Sequence, residues 1–149
     1  MSPTRSVHAG DAQTWRNALT DSDSFAVTYA ASSNATAEVV RRYNEVFQRH
    51  DPAPLRGLIA TNCIIENSNP APNGSRHVGH EACFELWQRI ATTPGIEFDI
   101  EEVVITGERA TIRWRLRWGE EESKSVRGVS LMRVLDGQIV EAFGYVKGA

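Results

Sequence analysis

The sequence lacks several features that would each define a functional class. No apolar run approaches the roughly 20 residues that a membrane-spanning helix requires. There is no basic surplus, because 16 Lys and Arg residues are opposed by 19 Asp and Glu residues and the net charge is −3. Such a surface cannot neutralise phosphates, so nucleic acid is not an expected partner. The N-terminus also lacks the apolar stretch of a signal peptide, and we expect a cytoplasmic protein that does not enter a membrane.

Cysteines and catalytic motifs are scarce as well. Cys63 and Cys83 lie within apolar patterns and predict buried free thiols rather than a disulfide framework. Glycine-rich phosphate loops and Ser-His-Asp patterns are absent. His77 and His80 do not have the helical spacing of a zinc-hydrolase histidine pair, and no third ligand is evident. We therefore expect neither a metal nor a cofactor.

The composition divides the chain into an extension and one domain. Residues 1–33 are polar and rich in Ser, Thr and Ala, with one short apolar patch from Phe25 to Ala31. This composition predicts an extension that is partly disordered or packs loosely. Residues 34–149 are long enough for a single domain with its own core.

Three helices are predicted at the start of this domain. The first begins at Asn34, and the second is short and follows Asp51-Pro52. The third runs from about His80 to Ala91. The apolar stripe of the first helix consists of Val39, Val40, Tyr43, Val46 and Phe47.

The rest of the domain is predicted to be mostly strands. One strand covers residues 63–67, and after the third helix come strands at 96–105, 110–118, 125–134 and 138–146. The segment "SNPAPNGSRHVG", with two prolines and two glycines, is predicted as a loop. Helices followed by an antiparallel meander predict an α+β fold whose helices cover one face of the sheet.

Alternation along the strands predicts which side chains face inward. Arg113, Arg115 and Arg117 should face outward and pair with acids of the preceding strand. A register slip of one residue would instead direct Arg115 and Arg117 to the pocket. In the strand that starts at Cys63, Asn67 should point inward and Glu66 outward. The other side chains predicted to point inward are Ile112, Trp114, Leu116, Trp118, Val126, Gly128, Ser130, Met132, Val140, Ala142, Gly144 and Val146.

Apolar residues also occur on the predicted outer face. Val129, Leu131, Phe143 and Tyr145 share that face, where a soluble monomer would carry polar side chains. This pattern predicts a homodimer that forms through the outer face of the sheet.

Three segments resemble the SnoaL-like branch of the nuclear transport factor two-like superfamily. They are "VVRRYNEVFQRHD", "CIIENSNP" followed by "VGHEACFELW", and "LMRVLDGQIVEAFGYVKG", and the resemblance extends roughly from Ala35 to Gly148. It implies a cone-shaped, strongly curved, mixed or antiparallel sheet wrapped around three helices (a cystatin-like α+β barrel). It also implies a hydrophobic pocket at one end of the sheet. The superfamily includes ketosteroid isomerases, limonene-epoxide hydrolases, scytalone dehydratase, polyketide cyclases and non-catalytic domains.

The residues that match these enzymes are incomplete for either well-defined mechanism. Tyr43 matches the pocket tyrosine of ketosteroid isomerases, but Asn67 stands where they have the general base and Ser130 where they have a second acidic donor. An amide cannot remove a proton from carbon as a carboxylate can, so steroid isomerisation is not expected. Asn67 also matches the asparagine that positions water in limonene-epoxide hydrolases, but Gly144 stands in the place of an acid–base partner.

The remaining candidates have two interpretations each. His77 is either a proton carrier at the mouth of the pocket or a surface residue. The large apolar side chains either line a ligand cavity or fill the core. These proposed ligand-binding residues are Phe47, Ile65, Trp87, Trp114, Leu116, Trp118 and Met132.

Two functions fit this pattern. The first is an enzyme that isomerises, cyclises, dehydrates or hydrolyses a lipophilic small molecule, with Tyr43 and Asn67 holding an oxygen, Ser130 assisting and His77 moving the proton. The second is a binding or association domain without turnover, and the missing inward carboxylate favours it.

Overall fold

The computed structural model describes residues 26–28 and 34–148. Within these ranges the chain forms seven strands and three helices. The helices are α1 (Asn34–Arg49), α2 (Leu55–Leu58) and α3 (His80–Ala91). The strands are β1 (Ala26–Thr28), β2 (Ile59–Asn67), β3 (Ser75–Val78), β4 (Glu97–Thr106), β5 (Arg109–Arg117), β6 (Ser125–Leu135) and β7 (Gln138–Val146).

Helix α1 is amphipathic and packs its apolar stripe onto the sheet. Val39 and Val46 lie seven residues apart, about two helical turns, and are 5% and 2% exposed. On the other side of the helix, Arg41 pairs with Glu38 and Glu45 at 2.7 and 2.8 Å. The hydroxyl of Thr36 donates a hydrogen bond of 2.6 Å to the carbonyl of Gly107, which ties the start of the helix to the β4–β5 turn.

The seven strands form one mixed, curved sheet in the order β1-β4-β5-β6-β7-β2-β3. The β1–β4 and β2–β7 pairs are parallel, and the other pairs are antiparallel. The predicted α+β class, the curved mixed sheet and the three helices are confirmed. The described strands do not close into a complete barrel.

Two strands lie where none was predicted. Strand β3 occupies part of the predicted loop and pairs with β2, so that Ser75 lies opposite Asn67 and His77 opposite Ile65. Its four residues are mostly polar and follow a run of turn formers, which conceals it from pattern analysis. Strand β1 lies within the predicted extension and pairs with β4, whereas residues 1–25 and 29–33 lie outside the described residues.

Three register shifts interrupt the pairing of the described strands. One lies in β4 between Ile100 and Glu102, and one lies in β2 between Ile59 and Ile64. The third lies in β7, where Ile139 pairs with Val134 and Glu141 with Arg133, so that Val140 is skipped. As a result Ile139 is 0% exposed and belongs to the core, whereas Val140 is only partly buried. The pairing skips Val140 at this bulge, and Val140 still packs against the core, in agreement with its predicted inward orientation.

The register of β5 is the predicted one. Arg117 pairs with Glu97 at 2.9 Å and with Asp99 at 2.6 Å, and Arg113 lies 3.5 Å from Glu102. These acids of β4 and arginines of β5 form ion pairs across the outer face, as predicted from the alternation. The alternative in which the arginines turn inward is excluded.

None of the described helices has the length and apolar character needed to cross a membrane.

Candidate functional site

A cavity of about 230 Å³ lies among helices α1 and α3 and the inner face of the sheet. Apolar side chains from both helices and from five strands form most of its wall, and the polar groups are few. The residues that line it are Tyr43, Asn44, Phe47, Ile65, Glu66, Asn67, Ser68, Asn69, Trp87, Ile90, Phe98, Ile100, Ile112, Trp114, Leu116, Val126, Ser130, Ala142, Gly144 and Val146.

Five aromatic rings make a continuous part of this wall. The ring of Tyr43 lies 4.9 Å from those of both Phe47 and Trp87, in edge-to-face geometry. Phe98 continues the chain, 5.6 Å from Phe47 and 5.7 Å from Trp114. These edge-to-face contacts link the five rings into one apolar surface.

Ser130 is held by a hydrogen bond from the indole of Trp114. The nitrogen Nε1 of Trp114 donates to the hydroxyl oxygen of Ser130 over 3.0 Å. Trp114 lies directly opposite Gly128 in the β5–β6 pairing, and a β-carbon at Gly128 would collide with the indole ring. A glycine at that position therefore allows the indole to lie across β6 and reach Ser130.

The hydroxyl of Tyr43 is available to a ligand. Among the described residues it has no hydrogen-bonding partner, although the residue lines the cavity. Burial raises the pKa of the Tyr43 phenol, and the thiol of Cys63 adds a smaller effect in the same direction. The phenol is therefore neutral near pH 7 and can donate a hydrogen bond to an oxygen in the cavity.

Asn67 lies at the end of β2 and lines the cavity, on the same strand face as the buried Ile65. The turn after β2 packs tightly against its backbone, because a β-carbon at Gly74 would overlap the carbonyl of Asn67. Gly74 also has a φ of 72°, a conformation that glycine adopts without strain. These constraints place Asn67 at the rim of the cavity.

Glu66 belongs to the lining of the cavity, and its side chain is 38% exposed. Its carboxylate lies 3.8 Å from the guanidinium of Arg76, its neighbour in β3. Its backbone carbonyl lies 3.6 Å from the place where a β-carbon of Gly144 would be. The groups that the cavity offers to a ligand are thus mainly neutral hydrogen-bonding groups.

Three residues that the sequence analysis assigned to the site lie outside this lining. Trp118 follows the end of β5 and is 48% exposed. Met132 is fully buried and pairs with Ala110 and Ala142, because it lies further along β6 toward the β6–β7 turn. His77 is on β3, where its Nε2 lies 3.0 Å from the hydroxyl oxygen of Ser75. Alternation along a strand predicts which face of the sheet a side chain is on. It does not predict whether that side chain lies at the level of the cavity.

The two histidines of the "HVGHE" segment do not converge. His80 hydrogen-bonds the carbonyl of Arg56 through Nε2 at 2.8 Å, and His77 contacts Ser75 two residues earlier on the same strand, β3. In the described part of the chain no group of three His, Cys, Asp or Glu side chains is arranged to hold a metal ion.

The structure also brings residues to the cavity that were not predicted. Ile112 and Val126 were recognised as inward-facing but not as ligand contacts, and Ile90 and Phe98 come from the predicted third helix and the predicted strand at 96–105. Asn44 is the addition that matters most, because it is a polar residue that is only 6% exposed. Its separation of three residues from Phe47 on α1 was a usable signal.

The chain is similar to known proteins in both sequence and structure. The family model for the SnoaL-like domain matches residues 40–142. A crystal structure of an NTF2-like protein of unknown function from Mesorhizobium loti is 57% identical, with a TM-score of 0.75. The match covers 82% of this chain and 98% of that chain. No curated protein matches the sequence significantly.

More distant structures share the fold. A steroid delta-isomerase from Pseudomonas aeruginosa is 16% identical with a TM-score of 0.66, over 80% of this chain and 85% of that chain. A protein of unknown function with a cystatin-like fold from Methylobium petroleophilum is 19% identical with a TM-score of 0.64, over 79% of each chain. Identities this low establish the fold and leave the chemistry to be argued from the cavity.

Proposed function

Because the chain belongs to the SnoaL-like domain family, we propose that it binds a lipophilic small molecule in the cavity and polarises one of its oxygens. Tyr43, Asn67 and Ser130 are the groups that would bind this oxygen. The observation that carries the proposal is an apolar, aromatic-walled cavity whose few polar groups are neutral donors.

The volume of the cavity narrows the choice of ligand. About 230 Å³ is below the roughly 300–1,000 Å³ typical of drug-sized ligand pockets, so a compact molecule of one or two rings is the best fit. The aromatic wall supplies apolar contacts to such rings.

The available groups suit reactions that require polarisation of an oxygen more than removal of a proton from carbon. Isomerisation, cyclisation, dehydration and hydrolysis can each be promoted when donors stabilise charge that develops on an oxygen. The phenol of Tyr43 and the hydroxyl of Ser130 are such donors. The side chain of Glu66 is 38% exposed and lies 3.8 Å from Arg76, and His77 lies outside the lining, so the described lining residues include no buried carboxylate or histidine that could act as a base.

The alternative is a binding or association domain that holds its ligand without turnover. It is favoured by the same observation, because general acid–base catalysis requires a group that exchanges a proton near neutral pH.

Mass spectrometry of metabolite extract from the host, incubated with purified protein, distinguishes the two. Wild type, Tyr43→Phe, Asn67→Ala and the control Gln88→Ala, an exposed residue of α3, would be compared. A compound consumed by wild type and the control but spared by the two cavity variants indicates an enzyme. A compound retained unchanged indicates a binding protein, and identical behaviour of all four proteins would refute the site.

We propose in addition that two copies of the chain associate through the outer face of the sheet. The outer-face patch consists of Val129, Leu131, Phe143 and Tyr145, which pair across β6 and β7. Leu131 is 40% exposed and Tyr145 58% exposed. Arg133 and Glu141 lie beside the patch, so a copy related by two-fold symmetry offers both signs of charge to match them.

Analytical ultracentrifugation at micromolar concentration tests this association. We expect a dimer for wild type and a monomer for Leu131→Lys, because a charge at the centre of an apolar interface is desolvated without a partner. Leu135→Lys is the matched control, since Leu135 is 39% exposed on the same strand but outside the patch. A monomeric wild type would refute the proposal.

A further inference from the structure

Asn44 is a buried polar side chain whose amide forms no hydrogen bond with another of the described residues. It is 6% exposed, lies in the middle of α1 and lines the cavity. No hydrogen bond joins its amide to any other described residue. Most buried polar side chains in folded proteins have such a partner, so this one requires an explanation.

The cavity itself provides the explanation. The side-chain nitrogen and oxygen of Asn44 are not sealed off from solvent, since no atom of that kind in the described residues is both buried and without a partner. The amide is therefore directed to the cavity, on the same helix as Tyr43 and Phe47. An apolar side chain at this position would pack in the same wall without the desolvation of an amide.

We propose that Asn44 is a ligand-binding residue and that it selects neutral molecules carrying a hydroxyl or amide group. This inference rests on the proposed binding function of the cavity. A side-chain amide donates through its nitrogen and accepts through its oxygen, so a ligand group that both donates and accepts satisfies it completely. A purely apolar ligand would leave the amide without a partner.

The charges around the cavity account for the selection of neutral ligands. Glu66 is the ionisable acid of the lining, and its carboxylate faces Arg76 at 3.8 Å. Tyr43 is neutral because burial raises its pKa. No lysine, arginine or histidine is present among the described lining residues, so a carboxylate ligand would lose its hydration without gaining a counter-ion.

Three probes with the same ring system separate the effect of a hydrogen bond from that of a charge: 2-naphthol, naphthalene and 2-naphthoate. Their dissociation constants can be measured from amide chemical shifts of isotopically labelled protein, which also report whether Tyr43 and Ser130 respond. For wild type we expect 2-naphthol to bind at least about fivefold more tightly than naphthalene, because it can form one additional hydrogen bond. We expect 2-naphthoate to bind most weakly.

Asn44→Leu keeps the branched shape and removes the amide. We expect the preference for 2-naphthol over naphthalene to fall to less than about twofold, while the unfolding midpoint stays unchanged or rises. Gln48→Met is the matched control, because it removes an amide one turn further along α1 and outside the lining. The control should keep the wild-type preference.

The outcomes keep this inference distinct from the proposed function. If all probes shift the cavity resonances but Asn44→Leu keeps the preference for 2-naphthol, the cavity binds ligands and the role of Asn44 is refuted. If Asn44→Leu lowers the unfolding midpoint and weakens all probes equally, the residue is structural and the inference is again refuted. If no probe binds wild type, both proposals fail.

Discussion

The indole nitrogen of Trp114 lies 3.0 Å from the hydroxyl oxygen of Ser130 and donates a hydrogen bond to it. The two residues come from neighbouring strands, and Ser130 lies two residues beyond Gly128, the partner of Trp114 in the pairing of β5 and β6. Because the indole can only donate, it occupies a lone pair of the hydroxyl oxygen and leaves the hydroxyl proton free for an acceptor. A residue of the aromatic wall thus orients one of the few polar groups of the cavity.

This hydrogen bond should be measurable as a coupling between the two residues. In a double-mutant cycle of Trp114→Phe and Ser130→Ala, we expect a coupling free energy of about 0.5–1.5 kcal/mol. Urea unfolding of the wild type, both single variants and the double variant gives this value. Strictly additive effects would contradict the hydrogen bond.

Gly128 should be intolerant of even the smallest side chain. A β-carbon there would meet the indole of Trp114 and the carbonyl oxygen of Tyr145, the latter at 2.6 Å. We expect Gly128→Ala to lower the free energy of unfolding by about 1–3 kcal/mol, because the indole must move out of its place in the wall. Urea unfolding and ligand titration would show the loss of stability together with weaker binding.

Gly57→Ala is the control for this substitution. A β-carbon at Gly57 would have no atom within 4 Å, and the residue lies in helix α2. Alanine loses less backbone entropy than glycine on folding, so this variant should be as stable as wild type or more stable. Equal destabilisation by both variants would show that the contact with Trp114 is not the cause.

The phenol of Tyr43 should resist ionisation in the folded protein. Burial raises its pKa above the ordinary value of about 10, so the native protein should not form tyrosinate at this position up to about pH 11. Absorbance at the tyrosinate band should then be the same for native wild type and native Tyr43→Phe. After denaturation in urea the absorbance of the two proteins should differ by that of one tyrosinate. A difference before denaturation would contradict the burial of Tyr43.

The ion pair of Asp99 and Arg117 should make stability depend on pH in acid. Hydrogen bonds from Arg117 lower the pKa of the Asp99 carboxyl, so the unfolded chain binds its proton more tightly than the folded protein does. The stabilisation is therefore complete above the ordinary pKa of about 3.9 and is lost as the pH falls through the lower folded-state value. Because the pair is partly exposed, the contribution should be less than about 1 kcal/mol.

Asp99→Asn tests this dependence. The difference in free energy of unfolding between wild type and Asp99→Asn should be present at neutral pH and vanish in acid, when the carboxyl is protonated in both states. Asp136→Asn is the control, since Asp136 is an exposed turn residue with a φ of 52° that asparagine also adopts. A difference that persists in acid would assign the effect to packing instead of charge.

The sequence by itself determined the class of the fold and the inner face of most strands. Side chains return to the same face every 3.6 residues in a helix and every two residues in a strand. The apolar stripe of α1 and the inward orientation of Trp114 and Leu116 could therefore be predicted from the sequence. The inward position of Asn67 and the outward position of Arg117 could be predicted in this way. The matching segments also indicated the family that the comparisons confirm.

Only the tertiary structure decided which inward-facing residues reach the cavity and which pack in the core. It also decided where bulges interrupt the alternation of inward and outward side chains. Met132 and Ser130 have the same parity, but one packs in the core and the other reaches the cavity, because the helices cover only part of the sheet. The bulge in β7 and the short strand β3 depend on how neighbouring strands pair, and the pattern of apolar residues within one strand does not encode that pairing. For the same reason the unpartnered amide of Asn44 became visible only when the surrounding elements were in place.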